Sequence, residues 1–265
     1  MLSAPVPAPR DQVQSLLRGL SVIQAFGADT PRLTLSEVAQ RSRLTRAAAR
    51  RFVLTLLALG YLETDGRLFQ LTPRVLDLGY SYLSSQSMPE VARPHIKALV
   101  ADVEESSEIA VLDGHDVVYV LRLNGPRLLT AAISIGARLP AHVTSLGRVM
   151  LAGLEPAKLD DYLATAELKK VHDRTLTDRD QLRTELEVVA RQGCAYVDSQ
   201  LEEGLLAVGV PIRDRNGRII AAANLSTHPS RRSMSDLQEI LLPRLLETVR
   251  EIEIDLRISG VDLHT

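Results

Sequence analysis

The sequence predicts an α+β protein with a small helical head and a larger body built on an antiparallel sheet. Two observations carry this. Residues 33–59, LTLSEVAQRSRLTRAAARRFVLTLLAL, read as two short helices around a tight turn, with a hairpin directly after them. From residue 89 onward, short apolar strands joined by hairpins alternate with helical segments, the pattern of an α+β layer.

In the head, Thr34 is placed to cap a helix, and Glu37 three residues on completes a capping box. Leu35, Val38 and Ala39 form its inward stripe. After Arg41-Ser42-Arg43-Leu44, Thr45 caps a second helix whose Ala49, Phe52, Val53, Leu56 and Leu57 share one face. The opposite side carries Arg46, Ala47, Arg50 and Arg51. Apolar behind, small and guanidinium side chains in front, is what a DNA recognition helix needs; the arginines suit phosphates or guanine edges. Gly60 to Leu71 reads as a hairpin turning at Asp65-Gly66, with Arg67 at its tip, so the head is a winged helix-turn-helix with its wing on the DNA backbone. Ser15–Phe26 predicts a preceding helix packed behind the unit through Leu16, Leu20, Ile23 and Phe26.

Charge agrees with this division. The chain has a net charge of −2, yet residues 10–74 hold 10 basic against 5 acidic residues, and the remainder is −7. A basic head on an acidic body fits DNA binding through one end.

The expected boundaries are a flexible arm at residues 1–12, the winged helix-turn-helix at 13–73, a linker helix at 74–88 and the body at 89–260. In the body, helices are expected over 91–103, 142–154, 156–163, 180–192 and 235–258, with Ser235 as cap and Pro243 as a kink. Strands are expected over 108–112, 117–123, 128–134 and 195–198, with a hairpin of 205–212 and 218–226 across an Asn-Gly turn.

Several classes are excluded. Cys194 is the single cysteine, which rules out an intramolecular disulfide and a cysteine-rich metal site and fits a cytoplasmic protein. Apolar runs are too short to span a membrane, and no signal peptide is legible. His142, Ser145 and Asp198 are the residue types of a nucleophile triad, but Ser145 is not in a Gly-x-Ser-x-Gly elbow and His142 lies only three residues away. The other histidines lack ligand spacing. No catalytic residue, metal or cofactor is therefore expected. A module whose winged helix contacts protein is the remaining alternative to DNA binding.

Three segments, RLPAHVTSLGRVMLA (138–152), YVD (196–198) ahead of EEGL (202–205), and AVGVPIRD (207–214), together with the winged helix, resemble the IclR-type bacterial transcriptional regulators over nearly the whole chain. GYSYL (79–83), LEEGL (201–205) and NLSTHPSR (224–231) resemble the branch controlling aromatic-acid breakdown by the protocatechuate and β-ketoadipate routes. The resemblance implies a GAF-like effector domain, dimers or tetramers on palindromic operators, and a small organic acid as effector. The winged-helix reading of the residues gives Arg18, Thr34, Thr45, Arg46, Ala47, Arg50, Arg51 and Arg67 as the expected DNA contacts. Carried over residue by residue, the resemblance implies an effector site at Thr144, Ser145, Leu146, Asp198, Ala207, Asn224 and Ser226.

The residues support such a site. Unpaired N–H groups at the start of the Ser145 helix suit a carboxylate, and Arg138 is placed to neutralise it. Asn224 and Ser226, two apart on a strand, face one way; they either bond a ligand or satisfy the sheet. The sequence departs from the family at Arg43, where glycine is common, and at Ala207, where a polar or thiol side chain occurs.

Overall fold

Side-chain caps set the starts of two helices of the head. In the computed structural model, which describes residues 12–78, 87–126 and 134–259, α1 is Gln14–Ile23, β1 Arg32–Thr34, α2 Leu35–Arg41 and α3 Arg46–Ala58. Thr34 caps α2 in a full capping box: Thr34 Oγ1 accepts the Glu37 N–H, and Glu37 Oε2 accepts the Thr34 N–H at 2.7 Å. Thr45 Oγ1 accepts the Ala48 N–H at 3.2 Å and starts α3. Between them α2 ends in a Schellman turn, Leu44 N–H donating to Ala39 O at 2.9 Å and Arg43 N–H to Gln40 O at 3.2 Å. That turn requires a left-handed residue, and Arg43 supplies it at φ 54°.

The wing is β2, Leu62–Thr64, and β3, Leu68–Leu71, with β1 added across β3 in the order β1-β3-β2. The third strand was not legible in the sequence, because three residues carry no period. The head's core gathers Val22, Phe26, Leu33, Val38, Val53, Leu56 and Leu62. One expectation needs correcting: Leu16 and Leu20 are not part of that core but stand 62% and 43% exposed on α1.

The chain separates into two units, Met1–Ser85 and Gln86–Thr265. The second contains α4 (Ser87–Val103), β4 (Ser106–Asp113), β5 (Asp116–Leu123), β6 (Arg138–Pro140), α5 (Ser145–Ala152), α6 (Pro156–Thr165), α7 (Arg179–Gln192), β7 (Ala195–Asp198), β8 (Leu206–Arg213), β9 (Ile219–Thr227) and α8 (Leu242–Ile258). Its six strands form one antiparallel sheet in the order β6-β5-β4-β9-β8-β7. Leu146, Val149, Met150, Tyr162, Leu182 and Leu186 from α5, α6 and α7 build one core with Ala110, Val117 and Ala222 of the sheet. α4 and α8 pack on each other, and α8 also packs on β8. Their Ile96, Leu99, Leu245, Val249 and Ile252 are buried. The central strands β4, β8 and β9 are thus covered on both faces, and they are almost wholly buried.

Three further expectations are corrected. The helix expected over 142–154 is a 3-10 turn, Ala141–Val143, broken at Thr144, whose extended backbone and hydroxyl cap α5. Ser233, not Ser235, caps the last helical segment, in a capping box with Asp236. Pro243 lies in the first turn of α8, just after a π-helical turn, Leu237–Leu241, so the irregularity precedes the proline. The linker starts as a 3-10 turn, Pro73–Val75, with helical residues 76–78; its remainder, and nearly all of the strand expected at 128–134, lie outside the described residues.

The left-handed backbone at Arg43 costs a residue bearing a Cβ about 1 kcal/mol, and the side chain is exposed. Arg43→Gly is therefore expected to slow amide hydrogen exchange in α2 and α3 about threefold. Exchange as fast as in the parent would show that the turn is not strained.

Candidate functional site

On α3, Arg46, Ala47, Arg50 and Arg51 are exposed while Ala49, Val53 and Leu56 are buried on the other side. The arginines thus line one solvent face of a helix whose first turn is fixed by the Thr45 cap. Arg67 is exposed in the wing turn, where Asp65 Oδ1 accepts the Arg67 and Leu68 N–H groups at 2.9 and 2.8 Å. Arg32 pairs with the Asp65 carboxylate from β1 and ties the turn down. Thr34 caps α2 as its position predicts, and its hydroxyl also donates to Glu37 Oε2 at 2.7 Å. Arg18 is exposed on α1.

In the body, the start of α5 is pressed onto the sheet. A Cβ at Gly147 would come within 2.1 Å of Ala141 O, and one at Gly209 on β8 within 2.9 Å of the Ser145 backbone. Only glycine at both positions allows this approach. Arg148, 4% exposed, locks the segment: its Nε donates to His142 O at 2.9 Å, and Nη2 donates to Gln200 Oε1 at 2.7 Å. Gln200 in turn accepts the Leu176 N–H at 2.9 Å.

Beside this seat lies a cavity of about 440 Å3, counting the open space at its mouth. Val143, Val197, Leu201, Leu205 and Ala207 give it an apolar wall; Thr144, Ser145, Asn224 and Ser226 bring polar groups. Ser145 is 1% exposed, and its Oγ is buried with no hydrogen-bond partner. By helix geometry the N–H groups of residues 145 and 146 have no partner within α5. A hydroxyl and two amide donors therefore converge at the positive end of a helix dipole.

Sequence reasoning missed the other end of the cavity, formed by Glu108, Tyr119 and Arg122. Register places Glu108 opposite both Arg122 and Asn224. Glu108 Oε1 is 3.8 Å from Arg122 Nε, Ser226 Oγ donates to Glu108 Oε2 at 3.2 Å, and Asn224 Oδ1 accepts the Glu108 N–H at 2.9 Å. Burial holds the Glu108 carboxyl above its ordinary value, and Arg122, Asn224 and Ser226 offset this only in part. Arg122 is always protonated, so ionised Glu108 is the form that leaves no net buried charge. Burial and the neighbouring carboxylate both raise the Tyr119 hydroxyl. The signal available in the sequence was a charge in each of two largely apolar strands at a distance from their connecting turn, Glu108 in β4 and Arg122 in β5.

Three expected effector residues fall elsewhere. Arg138 is exposed and bound to Asp113 at 2.6 Å and Asp116 at 3.2 Å. Leu146 points into the hydrophobic core. Asp198 pairs with Arg174 at 2.8 Å and accepts from Ser199 Oγ, while its neighbour Val197 lines the cavity. The period of two along β7 sends the pair to opposite faces. Among the described residues no cluster of His, Cys, Asp or Glu is arranged to hold a metal ion, and no helix is long and apolar enough to cross a membrane.

Comparison with known proteins sets this geometry in a family. Residues 15–66 match the IclR helix-turn-helix domain, and residues 80–254 match the bacterial transcriptional regulator IclR C-terminal domain. The chain belongs to the IclR family. The Pca regulon regulatory protein of Pseudomonas putida is 41% identical over 91% of this chain and 84% of its own length. A transcriptional regulator from Rhodococcus sp. RHA1 superposes with a TM-score of 0.85 at 49% identity, covering 94% of this chain and 100% of that one. An IclR homologue from Microbacterium hydrocarbonoxydans, crystallised with 4-hydroxybenzoate, gives a TM-score of 0.81 at 27% identity over 92% and 99% of the two chains. The family and its curated relatives are transcriptional regulators, so this member is a DNA-binding regulator and not an enzyme.

His142 supplies a pH test of the seat. Burial holds its imidazole below the ordinary 6.5, with Nε2 3.2 Å from Lys169 O. The unfolded chain takes up this proton first, so stability is lost as pH falls through about 6.5 and levels off below the folded value. The melting point of the body is expected to fall between about pH 7.5 and about pH 5.5, and His142→Asn to flatten that fall. An unchanged slope would remove His142 from the account.

Proposed function

We propose that a small aromatic acid entering the cavity of the second unit controls how the head grips a palindromic operator. The head is residues 13–73 and the body residues 89–260, joined by a linker helix; the working species is a cytoplasmic homodimer or homotetramer. The observation that carries this is Ser145: a buried hydroxyl without a partner, at the start of α5, beside a largely apolar wall. A buried polar group left unsatisfied is destabilising unless something comes to bond it. A carboxylate meets that requirement, and Thr144, Ser145, Asn224 and Ser226 surround it. Ala207, in place of a polar side chain, makes the wall apolar and suits a ring. The 4-hydroxybenzoate bound by a relative of the same fold supports an aromatic ligand here.

Arg46, Ala47, Arg50 and Arg51, with Thr45 at the helix start, are the side chains that enter the major groove. Arg67 from the wing and Arg18 from α1 reach phosphates. An acid that prefers one arrangement of the dimer changes the spacing of its two heads, which couples the sites by linkage.

Binding of the full chain to duplex DNA from the promoter beside its own gene, at moderate salt, tests the head. Arg50→Ala and Arg46→Ala are each expected to cost about 1–3 kcal/mol if they read guanine, and to lower affinity for all duplexes alike if they hold phosphate. Equal binding of the parent protein to promoter and random duplex would overturn operator recognition. For the cavity, hydroxybenzoates are expected to raise the melting point and Ser145→Ala to reduce the rise. A response confined to pyruvate and other aliphatic acids would remove the aromatic reading.

A further inference from the structure

The cavity has two chemically different ends, and the sheet fixes how far apart they are. Ser145 sits over Gly209 of β8, whereas Glu108 belongs to β4, and β9 runs between these strands. Two inter-strand steps of about 4.8 Å separate the ends by roughly 10 Å at the backbone, and side chains reach inward from each. A single ring with one substituent at each end fills such a gap.

At the Glu108 end the charges are already matched. Glu108 and Arg122 are 4% and 11% exposed and lie 3.8 Å apart, and Arg122 Nε also donates to Asn124 Oδ1 at 2.8 Å, so the arginine is already engaged. Ser226 donates to one carboxylate oxygen at 3.2 Å and leaves the carboxylate further acceptor positions. This end repels a carboxylate and accepts an O–H.

We propose that Glu108 is a specificity-determining residue of the cavity. Its carboxylate accepts a hydrogen bond from a ring hydroxyl, while the ligand's own carboxylate lies at the Ser145 end. Hydroxylated aromatic monocarboxylates are taken, and dicarboxylates are turned away. The assignment rests on the cavity reading above, since it concerns the second end of the same site.

Calorimetric titration of the full chain with benzoate, 4-hydroxybenzoate, 3,4-dihydroxybenzoate and adipate tests it. A hydroxylated acid is expected to bind at least about tenfold tighter than benzoate, because its hydroxyl adds a charge-assisted hydrogen bond to the buried carboxylate. Adipate is expected not to bind. Glu108→Gln should shrink that preference to about threefold, since charge-assisted hydrogen bonds are the stronger kind. Glu108→Asp, which keeps the charge on a shorter stem, should still exclude adipate while losing hydroxyl preference, and it serves if the glutamine variant does not fold. Equal affinity for benzoate and both hydroxylated acids, or a preference unchanged in Glu108→Gln, would overturn the assignment alone. No binding by any of the four acids, or binding that survives filling the cavity with Ala207→Leu, would overturn the cavity reading and this assignment together.

Discussion

The body depends on one close approach, the seating of α5 against the sheet. Gly147 lets the helix touch the Ala141 backbone, and Gly209 lets β8 touch Ser145; a methyl group at either position would collide with backbone. Backbone cannot move aside as a flexible side chain can, so these glycines fix the depth of the helix start. Arg148 then holds the preceding turn and the Gln200 loop together by hydrogen bonds from a buried guanidinium. The Thr144 cap, the buried end of the helix dipole and the orphan Ser145 hydroxyl follow from that placement.

Opposite the seat is a charge pair in a place where stability alone would not put one. Taking Glu108 and Arg122 out of water costs more than their mutual attraction reliably returns, and apolar residues of similar size commonly do as well. The exposed pairs of Arg138 with Asp113 and Asp116 carry no such cost and contribute little. Two arginines near one sheet thus have different physics: one ties a hairpin in solvent, while the other balances a carboxylate inside a cavity.

The head has a comparable economy. Its turn needs a left-handed residue, and the chain puts Arg43 there rather than glycine. That adds a positive charge between α2 and α3, beside the arginines of α3, at the expense of backbone strain. Helix starts are secured locally, by Thr34 with Glu37 and by Thr45, while burial of Ala49, Val53 and Leu56 turns the arginine face of α3 outward.

What the chain alone determined was whatever rests on local order. The caps at Thr34 and Thr45, the face of α3, the hairpins at Asp65-Gly66 and Asn216-Gly217, and the alternation of Asn224 with Ser226 all follow from neighbours within a few residues. Tertiary structure decided what depends on pairing across long separations. β1 joined the wing because Leu33 found Phe69. Glu108 joined the cavity because register set it beside residues far away in the chain, Arg122 and Asn224. Arg138, adjacent in sequence to the seat, left the cavity because two nearer aspartates claimed it. Side-chain direction on a strand is fixed by a period of two, but which strand lies alongside is set only when the sheet closes, and that choice divided lining residues from bystanders.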